Sequence, residues 1–65
     1  MKMIVDVHNN TITIGSESNI IVYKICTEPL ISFILDGYTV NENLTDQYND
    51  YVFLRKGTHF VAVKK

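Results

Sequence analysis

Sixty-five residues and 7.5 kDa allow one hydrophobic core and leave no room for a second. Six Lys/Arg against seven Asp/Glu give a net charge of −1. That balance excludes a chain held to nucleic acid chiefly by phosphate neutralisation, and equally an acidic DNA mimic. With 46% hydrophobic residues the chain is foldable, and a single cysteine, Cys26, excludes an internal disulfide framework and a multi-cysteine metal site.

Val, Ile and Thr supply 21 residues and Ala one, a bias toward strand because branching at Cβ suits a pleated chain. Part of this excess has a second source. Ile, Asn, Lys, Tyr and Phe total 26 residues against six for Gly, Ala, Arg and Pro, the signature of AT-rich codons. The longest apolar run, Ile20-Ile21-Val22-Tyr23, falls far short of the ~20 residues of a membrane span. Lys2 is followed by only Met3-Ile4-Val5 before Asp6, so no secretory signal is visible and a reducing cytoplasm is expected.

Met3 to His8 and Thr11 to Ile14 alternate around Asn9-Asn10, residues that tolerate the positive φ of a two-residue hairpin turn. This predicts His8 opposite Thr11, Val7 opposite Ile12 and Val5 opposite Ile14, with the valines and isoleucines on one face. Gly15 to Asn19 reads as a polar loop. Ile20 to Cys26 is a third strand, apolar at nearly every position and hence central. Thr27-Glu28-Pro29 starts a short helix, with Thr27 as cap and Pro29 in the first turn. Leu30 to Leu35 is its apolar body, and Gly37 its left-handed stop. Tyr38-Thr39-Val40 is a brief strand.

Asn41 to Asp50 is the longest polar stretch, read as a loop with at most one helical turn at residues 45–49. Tyr51 to Arg55 and Thr58 to Lys64 form a second hairpin around Lys56-Gly57, with Phe53 opposite Phe60 and Val52 opposite Val61. Both of its faces are largely apolar, and one short helix covers only one. The second face therefore requires a curled sheet or another chain.

Chemistry is sparse. Asp6 and His8 share a strand face and His59 lies on the other hairpin, but an isolated D-x-H reads more simply as a solvated face than as a metal site. Cys26 ends an apolar strand and reads as a small hydrophobe rather than a nucleophile. No nucleophile elbow, phosphate loop or dinucleotide fingerprint is present, so no enzyme and no cofactor are expected.

The expected architecture is a single strand-rich α+β domain over residues 1–65: ββ hairpin, third strand, one short helix, C-terminal ββ hairpin. The alternative is a small closed β-barrel, SH3-like or OB-like. The expected function is a small intracellular protein–protein interaction module acting on itself, as a homodimer, or on another protein, in the manner of a phage- or mobile-element-encoded inhibitor of a bacterial host protein. Its candidate anchors are Tyr48 and Tyr51, aromatics at the polar loop. The competing reading is a nucleic-acid-binding β-protein that uses Arg55 and Lys56 beside Tyr51. No membrane partner and no metal are expected.

Overall fold

The chain folds as strand-rich α+β around one six-stranded mixed sheet. A computed structural model describes residues 2–15 and 18–65. In chain order the elements are β1 (Lys2–Asp6), β2 (Thr11–Gly15), β3 (Ile20–Cys26), α1 (Leu30–Leu35), β4 (Thr39–Val40), α2 (Glu42–Gln47), β5 (Tyr51–Lys56) and β6 (His59–Lys64). The strand order is β1-β2-β3-β6-β5-β4, with β3 and β6 parallel and the other neighbours antiparallel. The sheet is open, with β1 and β4 at its edges, so the barrel alternative is not adopted.

The first hairpin forms, but two residues out of the expected register. Asp6 faces Thr11, Val5 faces Ile12 and Met3 faces Ile14, across a four-residue turn from Val7 to Asn10. Asp6 is the cause. One carboxylate oxygen accepts from the His8 and Asn9 amides at 3.0 and 3.1 Å, and the other accepts from Asn9 Nδ2 at 2.8 Å. Only Asn10 takes a positive φ, of 55°. Its carbonyl then accepts from the Ile25 amide and its side-chain amide donates to the Ile25 carbonyl, both at 2.9 Å, which ties the turn to β3. The shift is even, so the face assignment of Val5, Ile12 and Ile14 survives it, while Val7 moves into the turn and is exposed. Of the expected Gly15–Asn19 loop, Ser16 and Glu17 lie outside the described residues.

α1 begins differently from expectation and ends as expected. Its N-cap is Pro29, with extended backbone, and no side chain caps it; Thr27 has no such role. Its C-terminus is a Schellman motif. Gly37 adopts φ +99°, its amide donates to the Ile34 carbonyl at 3.1 Å, and the Tyr38 amide donates to the Phe33 carbonyl at 3.0 Å. The hydrophobic contact that accompanies this motif is the edge-on pair of Phe33 and Tyr38, ring centres 5.2 Å apart.

The second hairpin turns at Gly57-Thr58, one residue later than expected, so Lys56 faces His59, Arg55 faces Phe60 and Phe53 faces Ala62. Gly57 takes φ +60° and Thr58 does not, the pattern of a type II′ turn. Both faces are apolar, as the sequence implies, but neither a curled sheet nor a second chain is needed to cover them. α1 lies on one face, where Phe33 packs with Val52, Leu54, Val61 and Val63. The stretch read as a loop contains α2, which lies on the other face and packs Leu44 with Phe53, Ala62, Tyr23, Ile12 and Ile14. Tyr23 stands edge-on to Phe53 and Phe60, with ring centres 5.0 and 5.5 Å away.

Candidate functional site

The two helices cover opposite faces of β5 and β6, and this leaves one quadrant of the sheet open. On the α2 side the core runs continuously from β2 to β5. On the α1 side it stops at Cys26, and beyond it Ile4, Val22 and Ile20 project from β1 and β3. Pairing fixes their common face: Ile4 faces Thr13, Thr13 faces Val22, and Ile20 lies two residues from Val22. Ile20 is 71% exposed and Val22 52%, high values for apolar residues of a strand third from the edge. The same side carries the outer surface of α1. Ile31 and Leu35, one turn apart and away from Phe33, are 60% and 81% exposed. Between helix and sheet lies an open groove of about 630 Å³, lined by Val22, Lys24, Phe33 and Tyr38 with Glu28 and Asp36 at its rim. Thr11, Thr58 and His59 line it as well, so the groove itself is mixed in character, and the apolar surface on this side is carried by the exposed strand and helix residues.

Of the residues singled out from the sequence, Tyr48, Tyr51 and Arg55 share the α2 side of the sheet and Lys56 lies on the other. Tyr48 closes α2 and is half-buried, its ring centre 6.1 Å from that of Phe53. Tyr51, at the start of β5, is half-buried 6.3 Å from the same ring. Both therefore line the rim of the core on the α2 side. Arg55 projects from that same face of β5, its guanidinium 5.3 Å from the Phe60 ring centre and its Nε donating to the Gly57 carbonyl at 2.8 Å. Lys56 projects from the opposite face. Its ammonium donates to the Asp36 carbonyl at 2.7 Å, pairs with the Asp36 carboxylate at 3.4 Å and stands 5.9 Å from the Tyr38 ring centre. The two cations at the hairpin tip are thus split between the faces of the sheet, and each is engaged by its own chain.

Asp6, two residues before His8, is committed to its turn. The Asn9 side chain, then the Asn9 and His8 amides, hold its carboxyl below the ordinary aspartate value. Among the described residues no three metal-binding side chains converge. Burial, and then the Glu28 carboxylate, push the Cys26 thiol up, which disfavours its nucleophilic form. No helix among the described residues is long and apolar enough to cross a membrane.

The open quadrant was missed because its residues looked like core. A central strand apolar on both sides is the ordinary sign of a doubly covered strand, and Ile31 and Leu35 lie within one continuous apolar helix sequence. The signal that could have found it is the count of covering elements: two short helices cannot blanket two faces of six strands. By its fold the chain is an α+β protein with a mixed open sheet. Comparison with family models, curated proteins and solved structures gives no match.

Proposed function

We propose that this chain is a small protein–protein interaction module, without catalysis of its own, that docks another protein on the open quadrant between α1 and β3. The observation that carries this reading is the exposure of Ile20, Val22, Ile31 and Leu35 on the α1 side of the sheet, whereas on the α2 side Val5 alone is exposed among the large apolar strand residues described. Exposed apolar side chains grouped on one side of a small protein mark a binding site, and the groove beside Val22 adds Lys24, Glu28 and Asp36 for polar contacts. An inhibitor that works by covering part of a host protein requires only such a surface, and 65 residues are enough to present it. Arg55 and Lys56 give nucleic acid less support, because they lie on opposite faces and are held by Gly57 and Asp36.

The test is retention of partner protein on the immobilised chain after nuclease treatment, comparing wild type with Val22→Thr/Leu35→Ser. Protein bound by wild type and lost by the variant supports the reading. Retention that disappears with nuclease, or that is indifferent to the two substitutions, overturns it.

A further inference from the structure

The two edges of the sheet are finished differently. At one edge β4 is only two residues long, and α2 seals the rest of β5: the Phe53 amide donates to Thr45 Oγ at 3.0 Å and its carbonyl accepts from the Asn41 amide at 2.7 Å. A short strand plus a covering helix is how sheets protect an edge. At the other edge β1 runs five residues, Lys2-Met3-Ile4-Val5-Asp6, and among the described residues nothing pairs with its outer side. Its three interior residues carry no charge, proline or bulge to repel another strand.

The sequence of β1 is self-complementary. Turned antiparallel about Ile4, two copies place Lys2 opposite Asp6 twice, Met3 opposite Val5 twice, and Ile4 opposite itself. A parallel pairing would instead set lysine beside lysine and aspartate beside aspartate. Antiparallel registers centred elsewhere shorten the overlap and set Lys2 or Asp6 against an apolar residue. Ile4 and Val5 are 55% and 41% exposed in the single chain, so both lose apolar surface on pairing.

We infer that β1 pairs with β1 of a second copy of this chain, antiparallel and centred on Ile4, joining the two sheets into one. The two-fold axis is perpendicular to the sheet, so both open quadrants fall on the same side of the joined sheet. The inference uses the sheet edge and stands independently of what docks on the apolar face. A five-residue edge contact is small, so the dimer belongs to the weak, concentration-dependent class.

Two measurements test it. Sedimentation over a concentration series should show a reversible monomer–dimer equilibrium. Lys2→Glu should weaken it roughly tenfold, since two attractive cross-strand pairs become repulsive, with the unfolding midpoint unchanged. In a Cys26→Ser background, Ile4→Cys treated with oxidised glutathione should give a covalent dimer as two thiols become one disulfide and the glutathione is reduced. Lys2→Cys, which faces Asp6 of the other copy, should not. A monomer at every concentration overturns the inference, as does a dimer indifferent to Lys2→Glu or one that Ile4→Cys fails to link. None of these outcomes touches the docking proposal, whose test is the Val22→Thr/Leu35→Ser variant.

Discussion

Asp6 accepts three hydrogen bonds within its own turn, and so sets both the register of the first hairpin and a pH dependence. Its carboxyl titrates lower in the folded chain than the ordinary value of 3.8. A depressed folded pKa means that the unfolded chain binds the proton more readily. The stabilisation is therefore complete above the unfolded value and is lost as pH falls through the folded one. NMR titration should find the Asp6 midpoint below 3.8, and Asp6→Asn should flatten the acid limb of the stability profile. Gly37 is the second residue whose identity is dictated locally. At φ +99° a side chain is strained whatever the space around it. Gly37→Ala should cost about 1–2 kcal/mol in chemical denaturation, and Gly37→Asn less, because asparagine tolerates the left-handed region. Gly37 was legible in the sequence because a glycine after an apolar helix has few other roles. The Asp6 turn was not, because Asn9-Asn10 satisfied a simpler rule.

At the scale of elements, α2 decides the fold's economy, and it was the element least visible in the sequence. Residues 41–50 are polar and bracketed by asparagine and aspartate, which reads as loop. The signals of a helix were nonetheless present. Asn41 caps it by accepting from the Leu44 amide at 3.1 Å, Glu42 lies in its first turn, and Leu44 and Tyr48 are spaced one turn apart. So short a helix is not stable alone. It forms because Leu44 closes the core on one face of β5 while Thr45 and Asn41 satisfy the backbone of Phe53 at its edge. Strands read more clearly, since their alternation survives a register error: both hairpins slipped by an even number of residues, and every residue that stayed in a strand kept its face. The edge role of α2 gives a prediction. Thr45→Val keeps shape but leaves the Phe53 amide without its acceptor, which should cost about 1–3 kcal/mol. Hydrogen exchange at the Phe53 amide should accelerate, while Leu44→Ala should cost about 2–5 kcal/mol through the cavity it leaves.

At the scale of the whole molecule, a domain of this size buries only roughly 60% of the surface its unfolded chain exposes. Each apolar side chain left outside is thus a large share of what remains for stability. The apolar surplus that the sequence places on the second hairpin is spent internally, by α1 on one face and α2 on the other. The surplus that reaches solvent lies instead on β1, β3 and α1. Its position separates folding from binding in a measurable way. Val22 is 52% exposed and Leu35 81%, whereas Val61, in the same sheet and on the same side, is 7% exposed beneath Phe33. Val22→Thr/Leu35→Ser should change unfolding free energy by no more than about 0.5 kcal/mol per site, the range of surface substitutions away from special features. Val61→Thr puts a hydroxyl into a packed core and should cost about 1–3 kcal/mol. Chemical denaturation of the three proteins compares them directly. If the double variant lost stability on the scale of Val61→Thr, the open quadrant would belong to the folded core and the docking surface would have to lie elsewhere. If stability holds while partner retention falls, the apolar residues on that side contribute to recognition and not to the fold.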